Sequence, residues 1–245
     1  SWDDEVKYLN GVFDNGGSYL VGNLSADHWH LFTTDPAFEH VPTHVDCAFQ
    51  DETMEVLMTH LSPQHAAQFF TNRLPGAEKF HRETDYCGDD SVSISSGSTE
   101  ASNDPGHDLG SLVTKYAKID KIYPGVAQSI DSFGFTPCGY SCNAIVNNDH
   151  YFTIHVTPEA QCSYASFETN VPAAKYGMTN LEVLARVVNI FRPGRFSLTL
   201  FEATGSPKKG GLPKKTAGID GYKRTDRILY EFDGYDLVFV SFEAI

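Results

Sequence analysis

Phe135-Thr-Pro-Cys-Gly-Tyr-Ser-Cys142, followed shortly by His150-Tyr-Phe-Thr-Ile-His-Val-Thr-Pro-Glu159, is the stretch from which the fold can be read. The first segment is a turn bent by proline and glycine that presents a hydroxyl, Ser141, and two thiols, Cys138 and Cys142. The second is a strand. From Tyr151 to Thr157 the residues alternate, with Tyr151, Thr153, His155 and Thr157 on one face and Phe152, Ile154 and Val156 on the other. His155 lies on the polar face of this strand, and the carboxylate of Glu159 comes just beyond its end. On spacing alone the plainer reading prevails, in which Ser141 is a turn residue and His155 an ordinary strand histidine.

Working outward, Glu5 to Phe13 reads as a short helix stopped by Asn15-Gly16-Gly17, with Ser1 as its N-cap and Asp3 and Asp4 in its first turn. Ser18 to Val21 and His28 to Thr33 read as strands. Thr53 to Leu61 reads as helical, and Ser62-Pro63 restarts a helix that runs to about Asn72. From Glu83 to Asp108 the composition falls to Asp, Ser, Gly, Asn and Thr, a solvated insertion. Strands resume near Ser129 and run through Phe167. Asn180 caps a helix with apolar residues at Leu181, Leu184, Val187, Val188 and Phe191, closed by Pro193-Gly194. Arg195 to Phe201 is a strand, Gly205 to Gly218 a lysine-bearing loop, and Arg227 to Phe232 with Leu237 to Phe242 a hairpin turned at Asp233-Gly234. A helix, Phe-x-x-Gly and two strands near the start (Phe13 to Gly16) are echoed near the end (Phe191 to Gly194).

The 245 residues are 41% hydrophobic, enough to bury a core. The formal net charge of −14 argues against nucleic acid and anionic membranes as partners and is compatible with a cationic ligand. Five cysteines, Cys47, Cys87, Cys138, Cys142 and Cys162, are an odd and scattered set, which points to a reducing compartment. No apolar run is long enough to cross a membrane, so a cytoplasmic protein is expected. His28-x-His30 and His40-x-x-x-His44 lack a third ligand at useful spacing, and no metal is expected.

The two opening segments, with Cys162-Ser-Tyr-Ala-Ser-Phe-Glu-Thr-Asn170, closely resemble eukaryotic S-adenosylmethionine decarboxylase, the pyruvoyl-dependent enzyme of spermidine and spermine synthesis. The similarity extends through Ser1-Trp-Asp-Asp-Glu-Val-Lys-Tyr-Leu9, Asp51-Glu-Thr-Met-Glu55, Phe191-Arg-Pro-Gly-Arg-Phe196 and Gly221-Tyr-Lys-Arg224. It implies an α+β fold: a four-layer α/β/β/α sandwich of two antiparallel sheets, built from two similar halves. Residues 1–48 would end the first half, incomplete here, and 49–245 would form the second, with the insertion at 83–108. The family's chain cleaves itself at a Glu-Ser pair, whose serine becomes the covalent pyruvoyl cofactor. The substrate amine forms a Schiff base with that carbonyl, which acts as the electron sink for loss of CO₂. No such Glu-Ser neighbourhood, nor the catalytic cysteine that follows it, is found in these residues. The expectation is therefore the larger, C-terminal part of the enzyme, inactive as a decarboxylase by itself.

The resemblance also implies roles. Ser141 and His155 would assist self-cleavage, the hydroxyl by hydrogen-bonding a tetrahedral species and the imidazole by taking the α-proton in β-elimination. Phe135 would stack on the adenine of the substrate, and Glu159 would accept both ribose hydroxyls; without the family, Phe135 reads as a core phenylalanine. Asp51, Thr53, Glu55 and Glu168 would form a buried acidic cluster for putrescine, an activating diamine. The rival reading makes Asp51 a helix cap with Glu55 in the first turn. Expected partners are S-adenosylmethionine, putrescine, the preceding segment of the same enzyme and a second copy of the chain. The alternatives are a catalytically inactive paralogue that activates a decarboxylase by dimerising with it, and a stand-alone nucleoside-binding module.

Overall fold

In the computed structural model, which describes residues 1–25, 28–34, 51–71, 105–204, 218–232 and 234–245, the alternating segments assemble into one large antiparallel sheet. Its eight strands are β3 (Glu52–Leu61), β4 (Gln128–Gly134), β5 (Tyr140–Val146), β6 (His150–Thr157), β7 (Tyr164–Thr169), β8 (Pro193–Ala203), β9 (Tyr222–Glu231) and β10 (Tyr235–Ala244). They lie in the order β4-β5-β6-β7-β3-β8-β10-β9. A separate hairpin pairs β1 (Gly16–Gly22) with β2 (His28–Thr34).

One face of the large sheet carries the main core. Met54, Val56 and Met58 of β3, Phe152 and Ile154 of β6, Phe167 of β7 and Phe196, Leu198 and Leu200 of β8 all point into it. Helices α3 (Pro105–Tyr116) and α4 (Asn180–Phe191) cover that face with Leu109, Val113, Val183, Leu184, Val187 and Phe191. On the other face the hairpin packs Val21, Trp29 and Leu31 against Leu237 and Phe239 of β10 and Phe201 of β8. Helix α1 (Trp2–Asn10) lies on the far side of the hairpin, where Trp2 stacks on His30 at 4.8 Å and donates its indole N–H to Ser18 Oγ at 3.0 Å. The order of layers is thus α1, hairpin, large sheet, α3 with α4. The α+β class and the two antiparallel sheets agree with the expectation.

Local elements differ from the sequence reading in instructive ways. Residues 53–61 are strand, because Met54, Val56 and Met58 alternate into the core and the segment is hydrogen-bonded on both sides, to β7 and β8. Glu, Met and Leu favour helices in isolation, but burial in mid-sheet outweighs propensity. The second helix is short: α2 (Pro63–Ala66) passes into a 3₁₀ turn at Ala67–Phe69, and Asn72 lies outside the described residues. Pro105 to Asp108, expected in the polar insertion, open α3, while 83–104 lie outside the described residues. Gly106 in this segment, and Gly110 just beyond it, serve close packing, since a Cβ on Gly106 would meet the Phe133 ring and one on Gly110 the Ser132 backbone.

Helix ends follow the capping rules with shifted residues. Ser1 caps α1 in a capping box with Asp4, as expected, but the helix spans Trp2–Asn10, and Gly16-Gly17 begin β1. Thr179 rather than Asn180 caps α4, exchanging hydrogen bonds with Glu182. Arg192, in the left-handed conformation with φ 44°, closes α4, and Pro193-Gly194 begin β8. The echo between the two ends of the chain is kept in element order, α1, β1 and β2 against α4, β8 and β9, while in the pairing β10 inserts between β8 and β9 and β1 pairs directly with β2. Most of the lysine-bearing loop, 205–217, and Asp233 of the final turn lie outside the described residues.

Candidate active site

Pairing sets the outward face of the large sheet in rows, one side chain per strand. In one row Phe133, Ser141, His155, Ser166, Leu57 and Ser197 stand opposite one another on β4, β5, β6, β7, β3 and β8. Two residues further along each strand the next row reads Asp131, Asn143, Thr153, Glu168, Glu55 and Thr199. Such rows lie roughly 7 Å apart, within reach of one small ligand. The helices cover the opposite face, so these polar side chains point away from the core.

Within the first row Ser141 and His155 are direct cross-strand partners, and Ser141 Oγ lies 3.0 Å from His155 Nδ1. Ser141 is half-buried and His155 exposed. A hydroxyl held against an imidazole at this distance can pass a proton or orient a hydrogen bond toward a third group. The neighbouring thiol takes no part: Cys142 alternates to the other face, is 1% exposed, and burial pushes its thiol up to about 11.

The turn that precedes β5 is built against the 3₁₀ turn at 67–69. Gly139 N–H donates to Phe69 O at 2.9 Å, Thr71 N–H to Pro137 O at 3.2 Å, and Phe135 N–H to Gly139 O at 3.0 Å. The Thr136-Pro137 bond is cis, and Gly139 has φ 114°, a conformation that side chains rarely adopt. This frame holds Phe135 outward, 45% exposed, with its ring 4.9 Å from Phe133. It is therefore not a core phenylalanine. On the same turn Cys138 faces Glu159 from the end of β6; burial, then the hydrogen bond and charge of Glu159, hold its thiol above the usual range. Glu159 is exposed, and the loop after it is closed by Cys162 N–H donating to Glu159 O at 3.0 Å. The aromatic ring and the carboxylate thus flank Cys138 at one corner of the sheet, beside the Ser141–His155 pair.

The acidic set divides. Glu55 and Glu168 are direct cross-strand partners, and burial followed by the Glu168 charge pushes the Glu55 carboxyl up. Tyr151 donates its hydroxyl to Glu168 Oε1 at 2.6 Å. Tyr164 stands opposite Thr59, four positions further along β3, and its phenol is raised by burial and then by the Glu55 carboxylate. Asp51 lies four positions before Glu55, roughly 13 Å along the strand, where it accepts the Tyr235 hydroxyl at 2.6 Å. Thr53 stands between them on the same face, opposite Phe201. The helix-cap reading of Asp51 is excluded, because Glu52 to Leu61 is strand. Sequence reasoning missed the tyrosines. Tyr151 could be placed on the polar face of β6, but nothing in its neighbourhood says which carboxylate it meets.

Of the histidines weighed as metal ligands, His28 and His30 meet edge to face at 5.9 Å, with His30 stacked on Trp2, while His40 and His44 are outside the described residues. No helix among the described residues is long and apolar enough to cross a membrane.

Comparison with known proteins adds a second line of observation. The family model described as adenosylmethionine decarboxylase matches residues 1–243. The S-adenosylmethionine decarboxylase proenzyme of Saccharomyces cerevisiae is 36% identical over 256 residues, covering 99% of this chain and 60% of its own length. That of Xenopus laevis is 33% identical over 245 residues, covering 100% and 60%. The chain therefore spans about 60% of the length of these curated relatives. The crystal structure of the Trypanosoma brucei AdoMetDC-delta26 monomer superposes with a TM-score of 0.64 at 20% identity, covering 100% of this chain and 78% of that one. That likeness is one of fold.

Proposed function

The chain belongs to the adenosylmethionine decarboxylase family, and on that premise we propose that it forms the substrate corner, the self-processing pair and an effector site of a pyruvoyl-dependent S-adenosylmethionine decarboxylase in polyamine synthesis. The observation that carries the reading is the Ser141 Oγ to His155 Nδ1 contact of 3.0 Å on the open face of the sheet. It lies beside an exposed aromatic ring and a carboxylate, and one row away from a carboxylate pair.

The residues present fit a pyruvoyl group delivered from outside the sheet, since His155 and Phe135 are exposed on the face that the helices leave open. When bound, that group supplies an electron sink for loss of CO₂. The chain's own residues bind and position. Phe135 offers its face to the adenine, and the sulfonium of the substrate is drawn to aromatic rings by about 0.5–2 kcal/mol. Glu159 has two oxygens to accept the two ribose hydroxyls. Ser141 donates a hydrogen bond to an oxyanion during maturation, and the His155 imidazole takes up the proton that β-elimination releases. Glu55 and Glu168 together offer the negative charge that a diamine such as putrescine would neutralise.

The reading is tested by CO₂ release from carboxyl-labelled S-adenosylmethionine by the full-length protein, with Glu159→Gln and Phe135→Ala. Activity blocked by cyanoborohydride, with KM raised in both variants, is expected. An active enzyme whose KM is untouched by either change would remove the substrate corner, and a full-length protein without decarboxylase activity would favour the regulatory paralogue.

A further inference from the structure

The helix side of the sheet holds a concavity of about 470 Å³ between the C-terminal end of α3, the later turns of α4 and the α2 segment. It is lined by Lys118, Lys121, Arg186, Asn189 and Tyr116, with His65 at its edge. No carboxylate is among the described lining residues, in a chain whose formal charge is −14. Burial and the nearby Arg192 hold the His65 imidazole below its usual range, so it enters as a neutral donor or acceptor.

The plain explanation of basic residues here is that two helices end nearby and their carbonyl ends attract cations. It accounts for less than the structure shows. Lys118 follows α3 in the left-handed conformation at φ 62°, where glycine or asparagine is usual, so its side chain is kept at a backbone cost. Arg186 lies more than a turn before the end of α4, and its described hydrogen bonds, to Ile122 O at 3.4 Å and Met178 Sδ at 3.0 Å, engage Nη1 alone. Lys121 is partly neutralised by Asp120 at 2.8 Å and Arg186 by Glu182 one turn before it, while Lys118 has no ion pair among the described residues. Tyr116, 55% exposed, adds a flat aromatic wall, and Asn189 an amide.

We propose that this cleft binds a phosphate-bearing small molecule, with Lys118 and Arg186 on the phosphate and Tyr116 beside any ring attached to it. A guanidinium fork and an ammonium are the side chains best suited to phosphate oxygens. The cleft lies on the face of the sheet opposite Ser141 and His155, so the inference is independent of the reaction proposed above.

The test is calorimetric titration of the full-length protein with pyrophosphate at low ionic strength, with sulfate at matched ionic strength as control. Saturable binding to one site is expected. Lys118→Gly suits the left-handed backbone and should melt no lower than the parent. It and Arg186→Gln should each weaken pyrophosphate about tenfold or more, the loss of a charge-assisted hydrogen bond, while Lys7→Gln, on α1, leaves it unchanged. Adenosine triphosphate binding more tightly than pyrophosphate, with the difference lost in Tyr116→Ala, assigns a nucleotide; equal affinities assign a free polyphosphate. Absence of binding at millimolar pyrophosphate, an equal response to sulfate, or equal weakening by Lys7→Gln would overturn the proposal.

Discussion

Glu55 on β3 stands directly opposite Glu168 on β7, two carboxylates paired across the open face of the sheet with the Tyr151 hydroxyl 2.6 Å from one of them. Like charges so placed oppose folding unless a proton or a cation intervenes.

The pair makes stability depend on pH in a defined sense. Burial and the Glu168 charge raise the Glu55 carboxyl, so the folded state holds this proton to higher pH than the unfolded chain does. Its stabilising contribution is complete in acid, below the ordinary carboxylate value, and is lost as pH climbs through the raised folded-state value. Glu55→Gln should therefore match the parent in acid and exceed it at neutral pH, by about 0.5 kcal/mol, the size of an unfavourable cross-strand pair. Urea denaturation of both proteins across the acid-to-neutral range measures this. A constant difference, or one that grows toward acid, would contradict it.

A diamine should replace that proton. Putrescine at a hundredfold excess over its Kd should stabilise the full-length protein by about 2.7 kcal/mol, read as a higher Tm than in a salt-matched control. Glu168→Gln should remove the effect. Tyr151→Phe, which takes away only the hydroxyl holding Glu168, should weaken it without abolishing it. A melting curve indifferent to millimolar putrescine would sink the effector site and leave the decarboxylase reading untouched.

Self-processing separates the roles of the first row. In the full-length protein, Ser141→Ala should stall before the ester forms, and His155→Ala should stall after it. Denaturing gels run with and without hydroxylamine, which cleaves esters, distinguish the two. Normal processing in either variant would withdraw the role given to that residue.

The approach of α3 to β4 is open to a simpler test. A methyl group added by Gly110→Ala would press on the Ser132 backbone, and overpacking of this kind costs about 1–3 kcal/mol. Thermal melting should show that loss, whereas Gly177→Ala meets no atom within 4 Å but must adopt φ 71°, so its cost is conformational alone. Unchanged stability of Gly110→Ala would mean that α3 does not pack as described.

By itself the sequence determined what the backbone period and the capping chemistry can encode. The alternation of Tyr151 to Thr157, the Ser1 cap and the final hairpin were legible because each depends on residues close along the chain. The quoted motifs were also enough to recognise the family. Only the tertiary structure decided that 53–61 is strand, because its helix-favouring residues are overruled by neighbours on both sides, β7 and β8, that lie far away in sequence. It alone turned the Gly-rich start of α3 from apparent loop into helix, since the reason for those glycines is the surface of β4. It turned Ser141 outward and Cys142 into the core, joined Glu55 to Glu168, and set Asp51 apart with Tyr235. Local pattern specifies which face a side chain takes, but register between distant strands specifies which side chain it meets, and the site is made of such meetings.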